Sequence, residues 1–168
     1  MTWKPALKTP STGVDKFGFD LSVQVISRLA IRDTLASDYK AIAALLSQVG
    51  HRTSSVLVLE KIESLRCSPR DKLLVATLEG EVVGSMGLNA CPHFHADGYL
   101  GRMTSLIVDE QARRRGVGTA LIAAAETWFR RVGCTEWEVT TGDRGPNVQT
   151  FFGRTSLSRS GMRLVKRF

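Results

Sequence analysis

The chain has 168 residues, 43% of them hydrophobic and 23% charged, a balance that suits one folded domain with a real core. Its longest uninterrupted apolar runs, residues 41–46 and 120–125, are far too short to span a bilayer, and the lysine-bearing N-terminus lacks the apolar stretch of a secretory signal. The net charge of +7 asks for an anionic partner only where cations cluster, as at Arg113, Arg114 and Arg115; nucleic acid, an anionic substrate and a phosphorylated cofactor all satisfy that condition.

Residues 1–20 carry two Pro, two Gly and several Ser/Thr without periodicity, and read as an N-terminal arm ahead of one domain over 21–168. Val23, Val25 and residues 27–31 predict a first strand. Ser37 is the expected N-cap of a helix with Ile42, Leu45, Leu46 and Val49 on one face, closed by Gly50. Ser54 or Ser55 opens a second helix with Val58, Ile62 and Leu65 on one side. Residues 72–78 and 82–88 then predict a hairpin across a three-residue connection, Glu79-Gly80-Glu81. A polar loop over 91–98 precedes a long strand over 99–108. Residues 116–131 form a strong amphipathic helix ended by Gly133, and a strand follows around Trp137 and Val139. A short helix over 148–157 and a last strand around Met162, Leu164 and Val165 complete the order β-α-α-β-β-β-α-β-α-β. This is a mixed α/β layout with a late parallel crossover. Cys67, Cys91 and Cys134 are an odd count without metal-ligand spacing, as expected of reduced thiols in the cytoplasm.

The chemistry concentrates at residues 106–121. An apolar strand runs into a basic loop holding Gly116 and Gly118, which starts a helix. The first N–H groups of a helix lack internal partners and the dipole adds positive charge there. The glycines admit a bulky group to the backbone, and three arginines offer bidentate geometry to phosphate oxygens. A diphosphate fits such a trap; a solvated basic turn before an ordinary helix fits the same glycines. The spacing matches neither G-x-x-x-x-G-K-[ST] nor G-x-G-x-x-G after a strand.

Arg113-x-x-Gly116-x-Gly118, with Thr119-Ala-Leu-Ile after it, resembles the pyrophosphate signature of GNAT N-acetyltransferases. The likeness extends through the order of elements, the Leu-Glu-Gly-Glu-Val-Val-Gly hairpin at 78–84 and the aromatic pair Phe151-Phe152. From the hairpin onward the chain is also similar to aminoalkylphosphonate and other small-amine N-acetyltransferases, through Gly101-x-x-x-x-Leu106-x-Val108, Gln111-Ala-Arg and a His-x-His loop.

The resemblance implies a splayed mixed sheet and acetyl-coenzyme A as the acetyl donor. The amides of Arg114, Arg115, Gly116, Val117, Gly118 and Thr119 then take the diphosphate. Leu106, Ile107 and Val108 pair with the pantetheine arm, Asn147 touches it, and Phe151 and Phe152 pack on the cofactor. An N–H near Ile107 or Val108 polarises the thioester carbonyl. The family's usual acid is a Tyr where this chain has Phe152, and its frequent base is a Glu where this chain has Arg102. Arg102 suits an anionic acceptor. His93, His95, Asp97 and Glu136 are left as base candidates; His93 and His95 equally suit a bare surface loop or part of a metal site. The expected reaction is acetyl transfer to a primary amine of a small molecule. A catalytically inert acyl-coenzyme A binder and an acetylase of protein or tRNA-linked amines are the competing readings. Nucleic-acid binding as such is disfavoured by the lack of interleaved aromatics. An unpaired sheet edge after the last helix predicts a homodimer.

Overall fold

The computed structural model describes residues 28–140, 150–153, 155, 157, 158 and 166. The expected N-terminal arm, Asn147 and the strand around Met162 to Val165 lie outside them. Five strands form one sheet in the order β1-β2-β3-β4-β5: β1 Leu29–Asp33, β2 Asp71–Leu78, β3 Glu81–Pro92, β4 Tyr99–Val108 and β5 Cys134–Val139. The first three pairings are antiparallel, and β4 with β5 is parallel. Two helices, α1 Tyr39–Gln48 and α2 Ser55–Arg66, follow β1; α3 Val117–Val132 is the crossover from β4 to β5.

The helices divide between the two faces of the sheet. Leu74, Met86, Met103, Leu121, Ala125 and Phe129 belong to one buried cluster, which puts α3 on one face. Ala43, Val58 and Ile62 form a second cluster with Leu73 against it. Neighbours Leu73 and Leu74 point to opposite faces, as successive strand residues must, so α1 and α2 cover the other side.

Several boundaries differ from expectation. The described part of the first strand starts at Leu29 and runs to Asp33, beyond the expected Ile31. The helix expected to start at Ser37 begins with a 3-10 turn over Ala36–Asp38, and Asp38 is the N-cap of α1. The Asp38 carboxylate takes two hydrogen bonds from Arg32, at 2.7 and 2.8 Å, and one from the Leu35 N–H. The hairpin turn is two residues, Glu79 and Gly80, because Glu81 already pairs with Leu78; their φ values of 52° and 89° are those of a type I′ turn. β3 also runs on to Pro92, so the loop shrinks to residues 93–98.

Two β-bulges shape the antiparallel part of the sheet, and the parallel β4–β5 pairing shifts register once, at Thr135. Val83 is the extra residue opposite Ala76 and Thr77, and Thr104 is the extra residue opposite Gly87 and Leu88. Gly87 accommodates the second, because a Cβ there would lie 2.6 Å from the Thr104 hydroxyl.

Candidate active site

β4 pairs with β3 along its whole length, from Tyr99 to Val108. Its pairing with β5 runs only from Tyr99 to Met103, where Val139 is the last partner. Backbone groups of a strand alternate between its two edges. From Thr104 to Val108, one set therefore faces the side of β4 where no pairing with β5 is found among the described residues. Leu106, Ile107 and Val108 lie in this stretch.

The strand leads into a braced loop. The Asp109 N–H donates to the bulged Val83 carbonyl at 2.9 Å. Gln48, the last residue of α1, donates from Nε2 to Asp109 Oδ2 at 2.8 Å and accepts from the Glu110 N–H at 3.2 Å. The Gln48 hydrogen bond, followed by one from the Gln111 N–H, holds the Asp109 carboxyl below its usual range. Arg113 folds back, with Nε 3.4 Å from the Val108 carbonyl. Arg114 has φ 64° and Gly116 φ 81°; a left-handed arginine is strained backbone of the kind that concentrates at functional sites.

Gly116 is the N-cap of α3 and supplies no side-chain cap, and no acidic residue stands in the first turn. The Ala120 N–H bonds to the Gly116 carbonyl at 2.9 Å. The amides of Val117, Gly118 and Thr119 come before it, at the mouth of the helix. Gly118 lies under the Phe151 ring, which would be 3.0 Å from a Cβ at that position. Phe151 meets Phe152 edge-on at 5.1 Å, both half-buried, and Thr155 caps their turn by donating to the Phe152 carbonyl. The expected helix over 148–157 is thus seen at residues 150–152. Strand, bulge, loop and helix mouth thus leave the amides of Val117, Gly118 and Thr119 at the end of β4 without a side-chain cap.

Residues 36–154 match the acetyltransferase (GNAT) family. The chain belongs to that family. One relative is the aminoalkylphosphonate N-acetyltransferase of Salmonella typhimurium, 29% identical over 92 residues, which are 55% of this chain and 60% of the relative. Another is the aminoglycoside N(6')-acetyltransferase type 1 of Klebsiella aerogenes, 38% identical over 76 residues, 44% of this chain and 49% of the relative. The matches thus span only about half to three-fifths of these relatives' lengths. Among solved structures, an aminoglycoside N-acetyltransferase in complex with coenzyme A superposes with a TM-score of 0.73 at 19% identity. That match covers 84% of this chain and 95% of the other, and it shows the shared fold.

The remaining candidates of this GNAT chain lie away from the signature loop, on β4, on β5 and in the loop over 93–98. Arg102 is half-exposed and has a partner that sequence reasoning missed. It pairs in register with Glu138 of β5, and the guanidinium meets the carboxylate at 2.6 and 2.7 Å. Glu136 is exposed and faces Leu100, four residues before Thr104. At ~3.3 Å per residue that is roughly 13 Å from the bulge. His93 and His95 follow Pro92, beyond Tyr99, with their rings 5.6 Å apart. Asp97 is exposed in the same loop. Among the described residues no three potential ligands gather for a metal. Trp128 is buried and Trp137 stacks on Phe129, so both serve the core. Gln48 and Glu138 escaped the sequence because only the α1 position brings Gln48 to Asp109 and only the parallel register brings Glu138 to Arg102.

Proposed function

We propose that this chain transfers an acetyl group from acetyl-coenzyme A to a primary amine of a small molecule, by direct attack on the thioester. The observation that carries this is the early end of the β4–β5 pairing beside the uncapped mouth of α3. In this reading the diphosphate lies on the amides of residues 114–119, with Arg113, Arg114 and Arg115 around it. The arm pairs with Leu106, Ile107 and Val108, and the Ile107 or Val108 N–H polarises the thioester carbonyl. Phe151 and Phe152 flank the cofactor, and Asn147 is a further contact of the arm.

An alkylamine near pKa 10 must lose a proton before attack. From about 13 Å or more, Glu136, His93 and His95 act only through a chain of water. Phe152 cannot donate to the leaving thiolate, and an alkyl thiol near pKa 8.5 leaves without an acid at a modest penalty. Arg102 with Glu138 faces an acceptor as an ion pair rather than a lone cation. We place the protein in a reducing, cytoplasmic compartment, consistent with free Cys67, Cys91 and Cys134. We also propose a homodimer, which light scattering tests; a monomer at micromolar concentration overturns it.

The test of the function is acetyl-coenzyme A turnover with a panel of primary amines, read as free thiol together with the N-acetyl product. Amine-dependent release of both supports the reading. Saturable cofactor binding with no turnover on any amine favours an inert acyl-coenzyme A binder.

A further inference from the structure

A cavity of about 210 Å³ lies between α1, α2 and the sheet. It is smaller than the ~300 Å³ at which pockets for drug-sized ligands begin. Its wall is largely aliphatic, including Ile42, Leu46, Leu57, Ile62 and Leu73. On the β4 side it reaches Ser105 and Ile107, the stretch that β5 leaves unpaired. At its other end stands Thr34, just after β1 and three strands away. At ~4.8 Å per strand spacing that is roughly 14 Å. A small volume lined over such a length suits an unbranched chain better than a fused or multi-ring body.

Ser85 and Ser105 line the cavity from β3 and β4, and Thr34 stands at the far end. Thr34 is 2% exposed, and its hydroxyl has no hydrogen-bond partner among the described residues. An unsatisfied buried hydroxyl is costly, so a ligand atom is the natural partner. Its N–H donates to the Leu73 carbonyl of β2, and α2 packs on the same strand. Lys61 of α2 lines the cavity, is exposed, and is its one charged lining residue among those described. Among the described residues no carboxylate lines it to receive a second cation.

We infer that the acceptor is an unbranched aliphatic amine with an anionic tail, such as an ω-amino carboxylic acid. Its amine lies at the Ser105 end, its alkyl chain fills the cavity, and its carboxylate meets Lys61 and the Thr34 hydroxyl. This rests on the acetyltransferase reading for the reaction, and on the cavity alone for the ligand. A polyamine or an amino sugar carries cations where only Lys61 waits.

The experiment compares kcat/KM for an ω-amino carboxylic acid, the alkylamine of equal length and the corresponding diamine. The expected order is amino acid, alkylamine, diamine, with about tenfold between the first two, the size of one charge-assisted contact. Lys61→Gln and Thr34→Val each shrink that ratio toward one, with the larger loss of kcat/KM on the amino acid. A preference for the diamine, or a ratio that neither substitution moves, overturns the inference. If no amine turns over, the reaction reading fails separately. Calorimetric binding of the ω-amino acid then decides the cavity: binding that Lys61→Gln abolishes supports it, and no binding overturns it.

Discussion

A methyl group at Gly116 and one at Gly118 meet different obstacles. At Gly116 there is open space, but φ is 81°, so Gly116→Ala costs about 1–2 kcal/mol of backbone strain. That should lower the melting temperature by roughly 2–4 °C per kcal/mol in a chain of this size, which calorimetry reads. At Gly118 the backbone is ordinary helix and the obstacle is the Phe151 ring at 3.0 Å. Gly118→Val should therefore displace Phe151 and raise KM for acetyl-coenzyme A at least tenfold, about 1.4 kcal/mol, with the smaller effect on KM for the amine. Gln48 gives a sharper split. Gln48→Ala removes the brace on Asp109 and Glu110 from an exposed side chain. Steady-state kinetics should show a higher KM for acetyl-coenzyme A with a melting temperature within a degree or two of the parent; an unchanged KM would remove Gln48 from the site. His93→Ala and His95→Ala should each keep kcat/KM within about tenfold. A positioned general base contributes 100-fold or more, and a loss of that size would bring the loop into the reaction. The signature was legible because its residue types and spacing lie together in the chain. Arg102 was legible as a charge, whereas its neutralisation by Glu138 depends on a parallel register 36 residues away, which periodicity does not encode.

Elements whose ends are marked by local chemistry read well. β4 spans Tyr99–Val108 as the alternation predicts, and α3 ends at Gly133 as expected. Elements whose ends depend on a neighbour read less well. The extra residue in β3 shortens the hairpin turn and shifts register, and pairing with β4 carries β3 on to Pro92. The start of α1 moved for a similar reason: Asp38 is held by Arg32 of the preceding strand. That ion pair anchors the passage from β1 into the helices above the acceptor cavity. Asp38→Asn should destabilise the fold by about 2 kcal/mol, the range for a hydrogen bond to a charged group. The Arg32 hydrogen bonds, ahead of the Leu35 N–H, hold the Asp38 carboxyl below its usual range. Its contribution is therefore complete above the unfolded value near 4 and is lost as pH falls through the lower folded value. Urea titrations between pH 5 and pH 2 should show a steeper loss for the parent than for Asp38→Asn; parallel losses would assign acid sensitivity to other carboxylates.

At the scale of the molecule, the two faces of the sheet divide the labour. α3 with the larger core sets the donor loop, and α1 with α2 bounds the aliphatic cavity, while β4 is shared by both. No helix among the described residues is long and apolar enough to cross a membrane. Donor chemistry was readable from the chain because a diphosphate imposes a local motif. Acceptor chemistry was not, because the cavity is assembled from scattered positions on α1, α2 and three strands, together with the hydroxyl of Thr34 just after β1. The central claim is that the loop around Gly116 holds a coenzyme A diphosphate beside the open stretch of β4. Isothermal titration of coenzyme A against pantetheine, which has the arm without the diphosphate, tests it most directly. The account predicts saturable one-to-one binding of coenzyme A that weakens with added salt, and at least 100-fold weaker binding of pantetheine. Equal affinity for the two, or no binding of coenzyme A, would contradict it.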